Sequence, residues 1–213
     1  MTKIACPLDK KSYHHGNLRE TLVESALEIL NEGTLDDLSL RALARKAGVS
    51  QTAPYRHFAD KEALIAVLKE EGMRKLGDSM MEVMALEISP IDRLQKLGMR
   101  YVEFSESCPA HFKVMFEYDL ADYEKYGSLH DISDRSFQYL RKTVLECLAL
   151  PNARDIDPEV AQFSAWSMVH GLSVLLMNQS LMAHIKNDHL MTLGQKHQIA
   201  EQVTKIFSMS LIK

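Results

Sequence analysis

Positive side chains gather in one short segment of a chain that is acidic overall. The 213 residues carry a formal net charge of −4. Between residues 41 and 61 the basic side chains, opposed by Asp60 alone, are Arg41, Arg45, Lys46, Arg56 and Lys61. Acidic residues concentrate elsewhere, as between Glu117 and Glu124. Because attraction to a phosphate backbone depends on where positive charge lies rather than on its total, this distribution predicts a basic nucleic-acid-binding segment on an acidic body.

The same segment meets the requirements of a helix-turn-helix. Ala44 is small where two helices must approach each other, and Gly48 takes a left-handed turn conformation without a Cβ clash. Val49 places an apolar residue beside the turn, and Ser50 can cap the next helix. Pro54 falls in or just past the first turn of that helix, where a missing N–H costs at most one hydrogen bond. The spacing therefore predicts a short second helix.

Helical periodicity governs the rest of the chain, and no segment alternates as a strand would. Capping residues mark helix starts at Asn17, Ser39 and Asp60, and Gly33 marks a helix end. We expect helices at residues 17–33, 40–47, 50–58, 60 onward, 90–107, 109–119, 128–150, 157–181 and 195–211. The predicted fold class is all-α.

Several classes of protein find no support in the sequence. No apolar run approaches the roughly 20 residues that cross a bilayer. Near the N-terminus, no apolar stretch is as long as the apolar region of a signal peptide. We therefore expect a cytoplasmic protein without a membrane partner. No GxSxG, Walker loop or HExxH motif is present, so we expect neither an enzyme nor a cofactor.

Metal binding and a disulfide framework are also not expected. The three cysteines are odd in number, widely spaced and without a CxxC motif: Cys6, Cys108 and Cys147. The later histidines, which are His184, His189 and His197, lack the spacing of metal ligands on one helix face. Cys147 is predicted to be a small core residue.

Residues 17–68 resemble the TetR family of bacterial regulators. The resemblance rests on Ala47-Gly48-Val49-Ser50, on Tyr55-Arg56-His57-Phe58 and on Lys61. A second match, Trp166-Ser-Met-Val-His170-Gly171, resembles a Trp/His-Gly signature of one C-terminal subgroup, and residues 13–18 resemble that subgroup's lead-in. The resemblance implies a flexible arm at 1–12 and a helix-turn-helix DNA-binding domain at 13–70, which forms a three-helix bundle. It also implies a larger helical effector-binding and dimerisation domain at 71–213.

The resemblance assigns base-facing positions to Gln51, Thr52 and Ala53. A glutamine amide can pair with adenine, and the threonine and alanine methyl groups can contact thymine. Ser50 belongs to the same predicted DNA-binding set. Arg56 can bind either a phosphate or a guanine, because this sequence has arginine where some members have an aromatic residue.

Backbone contacts are implied for residues on both sides of these positions. Tyr55 and His57 would hydrogen-bond phosphates, and Lys61 would add positive charge near a helix N-terminus. Ser39 and Arg41 would anchor the other side of the groove. The alternative role of Tyr55 is packing against the first helix. The alternative for Arg45 and Lys46 is that they form a solvent-exposed face of their helix that does not contact DNA.

The remainder of the chain supplies a dimer interface and an effector site under this resemblance. Broad apolar stripes in the last two predicted helices would form a four-helix interface in a homodimer. Candidate ligand contacts are Met80, Met84, Phe104, Phe112, Phe116, Trp166 and His170. Methionine and aromatic side chains can line a pocket, and they also fill ordinary cores. Trp166 and His170 have the alternative of packing together, with Gly171 permitting close helix approach.

These expectations combine into one function with two rivals. The favoured function is a sequence-specific DNA-binding regulator that represses from a near-palindromic operator until a small, apolar effector releases it. One rival is a helical enzyme or ligand carrier that uses the methionine-rich and aromatic region without binding DNA. The other is a protein-interaction module whose helix-turn-helix meets a partner protein.

Overall fold

The computed structural model describes residues 18–122, 124–185 and 191–213. Within these ranges the chain is helical, without a sheet, and an isolated antiparallel bridge joins Ala153 and Ile212. The helices are α1 (Leu18–Glu32), α2 (Leu40–Lys46), α3 (Lys61–Met84), α4 (Pro90–Ser107), α5 (Pro109–Glu117), α6 (Gly127–Leu148), α7 (Pro158–Met177), α8 (Gln179–Ile185) and α9 (Leu193–Ser210). The all-α prediction is confirmed. The predictions for the arm at 1–12, the lead-in at 13–17, Cys6 and His189 lie outside the described residues.

Side-chain caps begin helices where the sequence predicts them. The Ser39 hydroxyl accepts a hydrogen bond from the Ala42 amide at 3.1 Å, at the start of α2. The Asp60 carboxylate accepts one from the Ala63 amide at 2.8 Å, at the start of α3. Each cap satisfies an amide that has no partner within its helix. Local sequence thus determines where these two helices begin.

Residues 50–58, predicted as a helix, contain only a 3-10 turn at Pro54–Arg56. Proline has no N–H to donate to the Ser50 carbonyl, so the α-helical bond at this position cannot form. Instead the Ala53 amide donates to the Ser50 carbonyl at 3.0 Å, which closes a tighter turn. The 3-10 turn begins after Ala53, so Ser50 does not cap it, and the Ser50 hydroxyl bonds that of Thr52 at 3.3 Å. The predicted short helix is therefore wrong.

The single helix predicted over 157–181 is divided at Asn178. Asn178 ends α7, and its side-chain oxygen accepts a hydrogen bond from the Leu181 amide at 3.0 Å. An asparagine side chain that competes for backbone amides in this way ends one helix and begins another. Residues 179–185 therefore form a separate short helix, α8, and do not continue α7 as predicted.

The chain divides into two compact units. The first unit comprises the residues up to Arg74 together with residues 107–132. Its core is almost entirely aliphatic and includes Leu22, Leu30, Leu43 and Leu64, each with no exposed surface.

Helix α5 belongs to this first unit, although the sequence boundary at residue 70 leaves it with the second domain. Ala110 and Val114 of α5 are part of the same apolar core. The Lys113 ammonium donates to the carbonyls of Leu30 at 3.0 Å and Gly33 at 3.1 Å, at the end of α1. A cation at a helix C-terminus satisfies carbonyls that have no partner within the helix.

The second unit comprises residues 75–106 and 133–213. Its apolar residues form smaller clusters, such as the one around Val144 and Cys147 and the one around Val102 and Leu176. Gly98 permits a close approach of α9, because a Cβ there would lie 2.8 Å from the Thr204 side chain. Small apolar clusters and a close helix contact thus hold this unit together.

The cysteines follow the prediction only in part. Cys147 is buried and carries a free thiol, and burial raises the pKa of this thiol to about 12. Cys108 is disulfide-bonded, which its sequence spacing did not predict. Distance along the chain does not report which cysteines fold close together.

Helix α7 is rich in apolar residues, although polar ones interrupt it as the sequence predicts. Among the described residues it is long enough and apolar enough, by length and composition, to cross a bilayer, with a mean hydropathy of 1.3. Its interior-facing side nevertheless carries buried polar residues, Gln162 and Ser173. Only 33% of the helix is buried within the protomer. The buried face of α7 therefore combines apolar residues with these two polar ones, and other large apolar residues of the helix are exposed.

Candidate nucleic-acid interface and ligand site

The turn after α2 has the hydrogen bonds of a Schellman motif. The Gly48 amide donates to the Arg45 carbonyl at 3.3 Å, and the Val49 amide donates to the Ala44 carbonyl at 3.0 Å. Gly48 has φ of 67°, the left-handed conformation that the sequence predicts for it. Ala44 is fully buried, as a close helix approach requires.

Two buried anchors hold the segment after this turn and leave its polar side chains in solvent. Pro54 and Phe58 are buried, and Phe58 belongs to the core of the first unit. Between and before these anchors, the exposed residues are Ser50, Gln51, Thr52, Tyr55, Arg56 and His57, with Ala53 half-buried. The Tyr55 side chain is 53% exposed, which argues against a purely packing role. The predicted base-facing and phosphate-facing residues thus share one exposed segment.

The start of α2 adds two further predicted DNA-contacting residues. Ser39 and Arg41 are exposed there, and Ser39 also caps the helix. Lys61, by contrast, is half-buried and donates to the Leu35 carbonyl at 2.6 Å. Its ammonium lies 6.0 Å from the centre of the Tyr118 ring. Because an ammonium has three N–H donors, the bond to the Leu35 carbonyl does not use all the donors of Lys61.

Two basic residues beside the turn differ in their surroundings. Lys46 forms ion pairs with Glu32 at 3.0 Å and Glu28 at 3.4 Å, which raise the pKa of the lysine. Arg45 is exposed. Lys46 therefore acts in the packing of α2 on α1, whereas Arg45 adds to the positive surface.

The seven predicted ligand residues are divided between the two units. Met80, Met84, Phe104, Trp166 and His170 belong to the second unit, where Phe104 is fully buried. Phe112 and Phe116 of α5 lie in the first unit and pack against each other at 5.1 Å between ring centres. Spacing along the chain could not distinguish these two groups.

A hydrogen-bonded aromatic cluster surrounds the predicted Trp166–His170 pair. The two rings lie 6.4 Å apart, and the Phe137 ring lies 5.8 Å from that of Trp166. Tyr101 of α4, which the sequence analysis missed, places its hydroxyl 2.8 Å from Nδ1 of His170 and also hydrogen-bonds the Trp166 side chain. No local sequence signal links Tyr101 to His170, because the two belong to different helices.

The donors and acceptors of this cluster define a direction for its hydrogen bonds. An indole N–H can only donate, so Trp166 donates to the Tyr101 oxygen. The Tyr101 hydroxyl also shares a hydrogen bond with Nδ1 of His170, which links the two rings. Burial lowers the pKa of His170 and raises the pKa of Tyr101, so both groups are neutral.

The described part of the chain also has a surface groove, separate from the segment 50–57 and from the cluster around His170. A shallow groove of about 440 Å³ follows one face of α6, and none of the predicted ligand residues lines it. Within the same ranges, no group of three or more His, Cys, Asp or Glu side chains could hold a metal ion.

Both parts of the chain match models of known families. Residues 22–68 match the model described as bacterial regulatory proteins of the tetR family. Residues 94–193, which include Trp166 and His170, match the model described as a tetracyclin repressor-like C-terminal domain.

Individual relatives show the same division. The class D tetracycline repressor of Escherichia coli is 43% identical over 60 residues, which are 28% of each chain. The chain therefore spans little more than a quarter of the length of that curated relative. An uncharacterized HTH-type transcriptional regulator of Bacillus subtilis, YobS, is 24% identical over 78% of this chain and 82% of its own.

A solved structure from Rhodococcus sp. RHA1, of a protein with unknown function, has a similar fold along nearly the whole chain. It superposes with a TM-score of 0.72 at 25% identity, covering 96% of this chain and 100% of the other. The two family models together account for well over half of the sequence. On these matches and on the helix-turn-helix geometry, the chain belongs to the TetR family of bacterial regulatory proteins.

Proposed function

We propose that this protein is a sequence-specific DNA-binding regulator of transcription. The observation that supports this most strongly is the segment 50–57, which exposes polar and basic side chains before and between the buried anchors Pro54 and Phe58. A helix-turn-helix reads DNA by placing such a segment in the major groove. The positive charge between Arg41 and Lys61 supplies the attraction to phosphate.

Side chains within the segment divide into two roles. Gln51, Thr52 and Ala53 contact base edges, where an amide pairs with adenine and methyl groups meet thymine. Tyr55 and His57 bind phosphates and fix the register on the duplex. Arg56 is exposed and can serve either role.

A second set of residues completes the proposed interface. Ser39, Arg41 and Ser50 flank the groove-facing segment and contact the backbone. Lys61 adds one donor to a phosphate from the start of α3 while it retains its bond to the Leu35 carbonyl. Together with segment 51–57, these residues make up the predicted DNA-binding set.

The protein acts as a homodimer on a near-palindromic operator. One short segment contacts too few bases for specific affinity, so two copies are needed on two half-sites. Helices α7 and α9 leave large apolar side chains exposed in the protomer, including Val160, Phe163, Leu175, Ile206 and Met209. Exposure of 58% for Val160 and 71% for Ile206 is typical of an interface that a partner covers.

A small-molecule effector in the second domain releases the DNA. The class D relative of Escherichia coli is named as a tetracycline repressor, and repression is the sign we propose for this protein as well. Because that match is confined to 60 residues near the N-terminus, it says nothing about the effector. Release follows when the effector binds more tightly to the conformation that does not fit the operator.

The remaining assignments follow from this function. A regulator of transcription works where bacterial DNA lies, so we propose a cytoplasmic location. We propose no catalytic role, since both domain matches are to regulators and no catalytic motif accompanies them. The Trp/His-Gly subgroup remains a prediction.

Fluorescence anisotropy with DNA from just upstream of the protein's own gene tests the proposal. We expect selective binding over random DNA, with two protomers per site and a steep loss of affinity as salt rises. Gln51→Ala should lose roughly tenfold in discrimination at particular bases, whereas Tyr55→Ala should weaken binding to all sequences. Gln138→Ala, at an exposed glutamine of α6, is the matched control and should bind as the unchanged protein does.

The outcome also separates the rival functions. If neither upstream DNA nor a genomic pool of fragments is bound, the regulator is excluded and a carrier or enzyme function becomes the working hypothesis. If Gln51→Ala and Tyr55→Ala instead weaken a complex with another protein, segment 50–57 is a protein-interaction surface.

A further inference from the structure

The buried polar groups of the second unit are not all satisfied by the protein. Ser173 of α7 is fully buried, and its hydroxyl has no hydrogen-bond partner among the described residues. The buried Ser136 of α6 shares this lack of a partner, whereas Ser105 bonds the Val102 carbonyl of its own helix at 2.8 Å. A buried hydroxyl without a partner is destabilising, and native proteins retain one mainly where a water or a ligand completes it.

Ser173 shares a face of α7 with the aromatic cluster. Positions 166, 170 and 173 are four and then three residues apart, which places their side chains on one side of a helix. Trp166 and His170 are half-buried, whereas Tyr101 and Ser173 are fully enclosed. The group formed by Tyr101, Phe137, Trp166, His170 and Ser173, here called the His170 cluster, therefore runs from the surface to a buried unpartnered hydroxyl.

The charge around α4 selects against an anionic ligand. The buried cation of the second unit, within the residues that the structure describes, is Arg100. Its guanidinium already binds Glu82 at 3.0 Å and Glu103 at 3.1 Å, so this group carries a net negative charge. Because this buried cation of the unit is already paired with two carboxylates, a buried ligand carboxylate or phosphate would lack a buried cation to neutralise it, which is costly.

Resting on the proposed function, we propose that the His170 cluster is the effector-recognition site and that it takes a neutral, largely apolar molecule with a hydrogen-bond acceptor such as a carbonyl oxygen. The Ser173 hydroxyl donates to that acceptor. The rings of Phe137 and Trp166 cover the apolar body of the ligand. The hydrogen-bonded chain from Trp166 through Tyr101 to His170 fixes the orientation of the imidazole.

Trp166 is the single tryptophan of the chain, so its fluorescence reports on the cluster directly. The full-length protein is titrated with three eight-carbon probes of different charge: 2-octanone, octanoate and octyltrimethylammonium. We expect saturable changes in emission with 2-octanone at concentrations at least tenfold below those needed for either ion. Tighter binding of octanoate or octyltrimethylammonium, or no saturable change with 2-octanone, would overturn the proposal.

Two serine variants separate recognition from packing. Ser173→Ala should raise the dissociation constant for 2-octanone by roughly fivefold to tenfold, the worth of one hydrogen bond. It should not lower the unfolding temperature of the free protein, because the hydroxyl it removes has no protein partner. Ser105→Ala, at a buried serine that is already satisfied, should leave the dissociation constant unchanged. Equal affinities of Ser173→Ala and the unchanged protein would contradict the assignment.

The titration contains no DNA and is independent of the anisotropy experiment. Binding of 2-octanone without any DNA binding would overturn the proposed function and leave this site standing. Selective DNA binding without a change in Trp166 emission on addition of 2-octanone would overturn this site and leave the proposed function standing.

Discussion

The two compact units of this protein are built from different interiors. The first has one aliphatic cluster that includes Leu22, Leu30, Leu43 and Leu64, and few polar side chains are buried with it. The second divides its apolar residues into smaller clusters and buries a longer series of polar ones, Ser79, Arg100, Ser105, Ser136, Thr143, Gln162, Ser173, Thr204 and Ser208. A uniform aliphatic core suits a part that must hold one shape, whereas buried polar groups suit a part that recognises a ligand.

The sharpest test of this contrast is a cavity in the aliphatic core. Leu43→Ala should lower the free energy of unfolding by about 3 kcal/mol, because Leu43 has no exposed surface and the cavity would be lined by neighbours that relax only in part. Urea denaturation measures the loss. Leu145→Ala makes the same deletion at an exposed site and should change stability by less than about 0.5 kcal/mol. Equal losses at the two positions would mean that the first unit has no specifically packed core.

A smaller effect tests whether α5 belongs to the first unit. Lys113→Met keeps most of the aliphatic stem but removes the ammonium that bonds the end of α1, and should cost about 1.5 kcal/mol. Chemical denaturation would show the loss, with Lys142→Met, at an exposed lysine of α6, as the control. A loss of stability no larger than that of the control would contradict the assignment of α5 to the first unit. It would favour the predicted domain boundary at residue 70, which places α5 in the second domain.

The turn of the helix-turn-helix should show a cost of about 1 kcal/mol. Gly48→Ala puts a Cβ on a residue with φ of 67°, a conformation that is unfavourable for every L-residue with a side chain. Gly127→Ala, at the first residue of α6, meets no neighbour within 4 Å and should be neutral. The unfolding temperatures of the two variants separate the cost of a strained backbone at residue 48 from the cost of adding a methyl group. An unfolding temperature of Gly48→Ala equal to that of the unchanged protein would contradict the left-handed backbone at this turn.

The smallest effect is the pH dependence of the His170 cluster. Burial lowers the pKa of His170 below its ordinary value of 6.5, so below that pH the unfolded chain binds more protons than the folded one. The stability contributed by the neutral imidazole is therefore lost as the pH falls. His170→Phe removes this term, and the difference in unfolding temperature between it and the unchanged protein should be smaller near pH 5 than near pH 8. A difference that grows on acidification would mean that the folded state stabilises the charged imidazole instead.

Local signals allowed much of the fold to be predicted from the sequence. Ser39 and Asp60 each cap a helix by accepting a hydrogen bond from an amide three residues later. Gly48 adopts the left-handed backbone conformation that glycine permits. Contacts between distant residues could not be predicted in this way. The hydrogen bond from Tyr101 to His170, which joins α4 to α7, leaves no mark in the spacing of either helix.

Besides the division of the predicted helix at Asn178, a local error concerns residues 50–58. Periodicity and the nearby Ser50 favoured an α-helix, and the missing amide of Pro54 was judged compatible with one. The structure instead has turns closed over three residues, because the bond from residue 54 to residue 50 is the one that an α-helix there would need first. The exposed side chains predicted for this segment remain exposed even so.

The place of α5 in the first unit also bears on the order of events during synthesis. Chains emerge from the ribosome from the N-terminus, and units generally fold as they become complete. The core of the first unit includes Ala110 and Val114, and the unit extends to Ile132. The proposed DNA-binding segment therefore cannot reach its final packing until residues 107–132 have been translated, by which time residues 75–106 of the second unit are already outside. A nascent chain that stops short of α5 would thus carry the complete DNA-binding sequence without the part of the core that Ala110 and Val114 supply.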